Sequence, residues 1–390
     1  MHDQAVFSDL ARQYRDALLT DVIPFWQRHS IDDACGGYFT CLDRVGASYD
    51  EKKYVMMQAR QVWLFSALVN RLERRPDWLE TARHGAAFLA AHGRDAAGNW
   101  YTGLDSAGQP RAQPRDLVCD CFVAMALGQF ALAAGDDAAR ELALATYGHI
   151  LRNWDGPPGQ NREAAAGAPA SPTLTLPAIL ANATLELDGV LDAATVADTL
   201  GACLRHVMGI HLDRERLLLH EGAASGGGPI TVGLGVEAMW IMMDIARRRG
   251  DGHLLGTCVD VALNTVTAGW DDAYGGLYSS VDTSGAPPSR PGSDQKVWWV
   301  HAEALIALAM GYERTGRDDC LRWFRRVHDY TWAHFPDPAY GEWYSVLDRR
   351  GDVLQSYKGG RWKGCLHVPR ALWMCWQTFE RLAQQTAGGA

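Results

Sequence analysis

Apolar residues recur along most of this chain at intervals of three and four, the spacing that gathers them on one side of an α-helix. That pattern predicts helices over residues 7–29, 54–73, 78–92, 116–134, 136–154, 171–187, 193–208, 233–249, 254–269, 296–315, 317–334 and 367–382. Between some of them the period changes to two. GGYFTCLDRVG from Gly36, GNWYTGLDSAG from Gly98, GGLYSSVDTSG from Gly275 and GEWYSVLDRRG from Gly341 are each an aromatic or apolar strand ending in Asp-x-x-Gly, which predicts a β-hairpin. Successive hairpins start about 60 residues apart, except across the middle of the chain, where the gap is about three such intervals. Two degenerate copies are therefore expected near positions 157 and 216.

Six units with two helices each predict an all-α chain, an (α/α)6 barrel with β-hairpins on one face, filling residues 1–390 as a single domain. An open solenoid of helix pairs competes, but its repeats carry short turns where this chain has ten-residue hairpins. Long loops gathered on one face of a rigid ring wall a depression suited to a ligand.

Composition narrows the ligand. With 47% hydrophobic residues, 21% charged residues and a formal net charge of -9, the chain is not a general nucleic-acid or membrane-surface binder. A neutral or polar small molecule fits better, and a homodimer is left open. The first thirty residues carry Asp3, Asp9, Arg12, Arg15 and Asp16 and no long apolar run, so a cytoplasmic location is expected. Nine cysteines lack CxxC spacing and no two histidines have metal-site spacing, so neither a metal nor another cofactor is expected. Gly226-Gly227-Gly228 is not followed by Lys-Ser/Thr and is read as a loop, not a phosphate cradle.

Polar groups on core-facing stripes are costly unless paired or used. Arg60 shares a stripe with Met56, Trp63 and Ala67, Glu237 with Leu234 and Ile241, and Glu303 with Trp299, Ile306 and Met310. A buried Arg–Glu pair is the structural alternative to a site. Pro369 belongs in a first helical turn, which puts His367 at a helix start. There the helix dipole would depress its pKa and keep the imidazole neutral, as a general base requires. Trp298, Trp299, Trp343 and Trp362 lie in segments leading to the expected cavity, where an indole can stack on a sugar ring. His301 points to a different helix face from Glu303.

With QARQVW (Gln58 to Trp63), HAEA (His301 to Ala304), YGEW (Tyr340 to Trp343) and KGCLHVPR (Lys363 to Arg370) added to GGYFTCLDR, the chain resembles the N-acylglucosamine 2-epimerase family over nearly its whole length. The resemblance implies a metal-independent (α/α)6 barrel that moves a proton at the sugar carbon next to the carbonyl. It implies His367 as the main base, Arg60 polarising the sugar O1 or O2, and Glu237 and Glu303 orienting histidines and hydroxyls. Trp299, His301, Trp362, Asp120, Leu234 and His220 are the implied substrate contacts, Asp120 standing where the family commonly has Glu.

One departure is substantial: the family's Pro-Gly-His-x-x-Glu motif, with a second catalytic histidine, reads Val232-Gly233-Leu234-Gly235-Val236-Glu237. The expected function is a cofactor-independent epimerase or aldose–ketose isomerase acting at C2 of an unphosphorylated hexose or N-acylhexosamine. Leu234 weakens epimerisation more than isomerisation, and His220 and Glu221 are read either as residues of a solvent-exposed loop or as a substitute acid. The alternatives are another His-dependent proton abstraction, such as β-elimination, or a non-enzymatic sugar-binding or protein-interaction role.

Overall fold

The computed structural model describes residues 2–112, 116–154, 173–287 and 290–388. Its helices follow the apolar periodicity. α1 (His2–Asp16) runs through a π-helical stretch (Ala17–Val22) into α2 (Ile23–His29). Then come α3 (Val55–Arg71), α4 (Pro76–His92), α5 (Leu117–Ala134), α6 (Asp137–Asn153), α7 (Thr175–Glu186) and α8 (Ala193–His206). α9 (Val232–Arg249), α10 (Gly252–Gly269), α11 (Trp298–Thr315), α12 (Asp318–His334) and α13 (His367–Gly388) complete the series. Asp116, Asp136, Asp192 and Asp251 start α5, α6, α8 and α10 by accepting a backbone N–H of the first turn. Gly135, Gly250 and Gly316 end α5, α9 and α11 in the left-handed conformation.

The helices sort into two layers. α3, α5, α7, α9, α11 and α13 pack against one another in that order, while α4, α6, α8, α10 and α12 each lie on the helix before them and α1 lies on α13. Burial separates the layers. α5, α9 and α11 are buried on nearly every side, whereas α12 buries only the stripe Cys320, Phe324, Val327, Tyr330 and Thr331. α5 is long and apolar enough to cross a membrane by composition, but most of it is buried here, against α3, α6 and α7.

Antiparallel strands occupy the connections that lead into the inner helices. β1 (Cys41–Leu42) pairs with β2 (Ser48–Asp50), and β3 (Lys53–Tyr54), β4 (Gly103–Leu104) and β5 (Pro110–Ala112) form one sheet. β6 (Leu212–Asp213) pairs with β7 (Leu218–Leu219), and β8 (Ile230–Thr231) with β9 (Ser280–Val281). β10 (Lys296–Val297), β11 (Val346–Leu347) and β12 (Val353–Gln355) form another sheet. The Asp-x-x-Gly signature has a physical cause. Asp43, Asp282 and Asp348 each accept the backbone N–H groups two and four residues on, and the glycines Gly46, Gly285 and Gly351 turn the chain at φ of 86°, 81° and 96°. The degenerate copy expected near 216 is β6–β7, where Asp213 accepts from Glu215 and Arg216 and Leu217 takes the left-handed conformation. The copy expected near 157 lies outside the described residues.

Three hairpins are also bonded to the segment that enters the preceding inner helix: β4 to β3, β9 to β8 and β11 to β10. The first hairpin bonds to the segment ahead of the last helix, since Leu42 N–H donates to Gly359 O and Lys358 N–H donates to Leu42 O. Buried lysines add a linkage within a unit, from the segment entering an inner helix back to the turn before its own hairpin. Lys53, Lys296 and Lys358 bind Asp32, Asp271 and Asp337 at 2.6, 3.2 and 3.1 Å, and each of these aspartates sits in the turn after an outer helix. Paired this way, the charges avoid most of the cost of burial.

Candidate active site

A cavity of about 330 Å³ opens at the N-terminal turns of the inner helices, and all six contribute side chains to it. Met56 and Arg60 come from α3, Val118 and Phe122 from α5, and Thr175 and Ile179 from α7. Leu234 and Glu237 come from α9, Trp298 and Trp299 from α11, and His367 from α13, with Glu221, Thr231 and Trp362 on the loops between. That volume suits a monosaccharide-sized ligand.

His367 is the first residue of α13, and Pro369 sits two residues later, where its missing N–H costs nothing. The imidazole is buried, with Nδ1 2.7 Å from Glu303 Oε1. Glu303 also accepts from two further donors, Trp240 Nε1 at 2.8 Å and Arg370 Nη2 at 2.7 Å, and as their common acceptor it takes the His367 proton on Nδ1. Nε2 then keeps its lone pair for the cavity. Burial holds the His367 pKa well below its ordinary value, with Arg60 and Arg370 adding to the depression and Glu237 opposing it. The cause differs from the helix dipole expected from sequence.

Arg370 lies one turn after His367 and bridges two buried carboxylates, Glu237 Oε1 at 2.6 Å and Glu303 Oε1 at 2.7 Å. The buried Arg–Glu pairing anticipated as the alternative role of Arg60 therefore exists, but Arg370 makes it. Arg60 forms no ion pair among the described residues. Its guanidinium lies over the Phe122 ring at 4.3 Å, its Nη1 reaches Trp362 O at 3.4 Å, and its Nε is buried without a partner. Burial lowers its pKa to about 10, which leaves it charged at neutral pH. An unpaired buried cation at a cavity wall is a place for developing negative charge.

Glu237, Glu303 and His367 also bring donor atoms within 4.8 Å of one another, a spacing that a metal ion can use. The cation these carboxylates face is the Arg370 guanidinium, which already supplies the positive charge a metal would bring.

Three histidines whose pKa burial lowers predict an acid-sensitive fold. Burial lowers His367, His328 and His301 below the ordinary 6.5, His328 to about 4 and His301 to about 3. The unfolded chain then takes up protons first as pH falls. Their stabilisation is complete above about pH 6.5 and is lost as pH drops through the folded-state values. The urea midpoint should hold between about pH 8 and 7 and fall steadily below about 6.5. A midpoint unchanged down to about pH 5 would contradict this.

Residues 37–368 match the N-acylglucosamine 2-epimerase (GlcNAc 2-epimerase) family. The chain belongs to that family. It is 35% identical over 386 residues to the N-acylglucosamine 2-epimerase of Bos taurus, covering 95% of this chain and 91% of the relative. A D-mannose isomerase of Thermobifida fusca is 27% identical over 84% of both chains. The solved structure of a cellobiose 2-epimerase from Bacillus thermoamylovorans superposes with a TM-score of 0.82 at 21% identity, covering 96% of this chain and 100% of that one. The chain is thus an enzyme of the isomerase and epimerase class.

Within this member of the N-acylglucosamine 2-epimerase family, most residues expected at the site do meet there. His367, Arg60, Glu237, Leu234, Trp299 and Trp362 line the cavity, and Glu303 lies beneath it, bonded to His367. Trp299 packs 5.6 Å from the His367 ring and fills the space that a side chain at Gly233 would need. Trp362 is 65% exposed and stands at the mouth.

Three expected contacts lie elsewhere. His301 is fully buried behind the wall, where its Nε2 accepts the Leu277 N–H at 2.9 Å and its Nδ1 is 3.0 Å from Val297 O. It fastens a hairpin to α11 and does not touch the cavity. Asp120 faces α6, with Oδ2 3.9 Å from His149 Nε2. His220 is buried with Nδ1 2.9 Å from Gly228 O, so it shapes the 220–228 loop and is neither a cavity acid nor a solvated residue. Trp343 packs in the core against Phe335 and Trp332. Sequence reasoning gave Arg370 no role, although its position three residues after His367 on a buried helix was a readable signal.

Proposed function

We propose that this protein is a sugar epimerase or aldose–ketose isomerase that moves a proton at C2 of an unphosphorylated hexose or N-acylhexosamine, with His367 as base. The observation that carries the reading is the His367–Glu303 pair, which leaves Nε2 free at a cavity whose wall also holds the unpaired Arg60 cation. The relatives named N-acylglucosamine 2-epimerase and D-mannose isomerase support the choice of substrate class.

The open-chain sugar enters with its aldehyde toward Arg60. Nε2 takes the C2 proton, the C–H electron pair forms the C1–C2 double bond, and charge collects on O1, where Arg60 holds it. Glu303 fixes the tautomer and stabilises the imidazolium that forms. Returning the proton to C1, with a proton passing between O1 and O2, yields the ketose, and delivering one to the opposite face of C2 yields the epimer. The isomerisation balances with these side chains, whereas epimerisation needs a further proton donor on the second face. Leu234 lines the cavity and carries no proton, which restricts the ways the second face can be served.

The same reading covers the architecture. The hairpin of β1 and β2 meets the segment ahead of α13 and every inner helix reaches one cavity, which supports a closed (α/α)6 barrel, one domain with its hairpins on a single face. Proton NMR of glucose, mannose, N-acetylglucosamine and N-acetylmannosamine in deuterated water tests the chemistry. Deuterium is expected at C2 of at least one sugar and of its product. Binding of those sugars with no exchange at C2 would overturn the proposal.

A further inference from the structure

We infer that Glu221 is the second proton-transfer residue, serving the face of C2 opposite His367 and making this enzyme a C2 epimerase. The inference rests on the reading of His367 as base. Its evidence is the placement of one loop residue. Glu221 lines the cavity, and its backbone is pinned on both sides, with its N–H donating to Pro229 O at 3.2 Å and its carbonyl accepting the Leu174 N–H at 2.9 Å. Its carboxylate Oε2 accepts the Thr231 hydroxyl at 3.2 Å, and Thr231 is itself a cavity residue. The neighbouring His220 turns away into the loop, where Gly228 holds its ring. The chain therefore fixes a carboxylate at the wall.

The position is across from His367. Glu221 sits between Leu174, which leads into α7, and Thr231, which starts α9, and in the inner order α3, α5, α7, α9, α11, α13 these helices lie three and two steps from α13, whose first residue is His367. In a six-membered ring, two to three steps is the side away from His367. Leu234 of α9 is apolar and Glu237 of α9 is paired with Arg370, so Glu221 is the carboxyl on that side of the cavity outside an ion pair among the described residues, the hydroxyls of Thr175 and Thr231 being far weaker acids.

The reaction balances with these two groups. In one direction His367 Nε2 takes the C2 proton and O1 gains the charge. The protonated Glu221 carboxyl then gives its proton to C2 from the other face as the O1 electron pair restores the carbonyl. His367 is left protonated and Glu221 ionised, and exchange with water resets both. The reverse direction uses ionised Glu221 as base and the His367 imidazolium as acid. A carboxylate and an imidazole positioned on opposite faces are sufficient for the inversion.

Glu221→Gln keeps the size and the Thr231 contact while removing the acid and base. It is tested beside wild type and His367→Asn on each epimer of the N-acetylglucosamine/N-acetylmannosamine and glucose/mannose pairs, in deuterated water. Wild type is expected to form the C2 epimer carrying deuterium. Glu221→Gln is expected to lose epimer formation by at least about 100-fold. It should still exchange C2 of the one epimer whose proton faces His367, and not of the other. Glu221→Gln that epimerises within about threefold of wild type, or loses exchange from both epimers alike, overturns the role of Glu221 and leaves His367 standing. Wild type that forms only the ketose overturns it too. Undiminished exchange from both epimers in His367→Asn strikes the base assignment, and this inference falls with it.

Discussion

His367→Asn is expected to fold like the parent and to turn over about 10²–10⁴-fold more slowly. The asparagine amide can still donate toward Glu303 Oε1, so the buried carboxylate keeps a partner. What disappears is the ring nitrogen facing the cavity. Because the base acts in the transition state more than in binding, the loss should fall on kcat and kcat/KM alike while KM changes little. Steady-state assays on the sugar that shows C2 exchange, with Tm as a control for folding, make the check. A variant retaining activity within about tenfold of wild type would remove His367 from the role of base.

Arg370→Met should carry the largest stability cost of a single substitution at the site, about 3–5 kcal/mol, because it leaves Glu237 and Glu303 buried without their cation. Methionine fills much of the same volume, which separates the charge effect from a cavity effect. Adding Glu237→Gln should recover part of the loss, since one fewer carboxylate then lacks a partner. The site chemistry should respond as well. Arg370 is one of the cations that hold the His367 pKa down, so its removal lets that pKa rise and moves the acid limb of the kcat/KM profile to higher pH. Urea unfolding with a loss under about 1 kcal/mol, or an unmoved acid limb, would show that the guanidinium does not carry the charge balance argued for it.

Much of the helical framework and its hairpins could be read before the structure because both are local. A helix that buries one stripe advertises it every three to four residues, as α12 does, and an Asp-x-x-Gly turn records its own bonding in two side chains, as at Asp43 and Gly46. The degenerate hairpin at β6–β7 was legible only through the interval, since Leu217 takes a backbone conformation usually given to glycine. The three buried Lys–Asp pairs went unread. Each lysine sits 21 to 25 residues from its aspartate, beyond any local period.

At the site, sequence alone determined that Arg60, Glu237 and Glu303 lie on apolar helix faces and that His367 stands at a helix start. Only the tertiary structure decided which of them are paired. Arg60 and Arg370 are both arginines on buried inner helices, and what separates a free cation from a structural one is two carboxylates that lie 133 and 67 residues away from Arg370. His301 and His367 both stand in the opening turn of an inner helix, yet one ring turns outward to a hairpin and the other to the cavity, because helix rotation is set by neighbours across the layer. His220 and Glu221 are adjacent just after β7, and the structure turns the ring toward Gly228 and the carboxylate toward Thr231 at the cavity. Which of the two faces the cavity depends on what packs behind the loop, and burial against Gly228 takes the histidine.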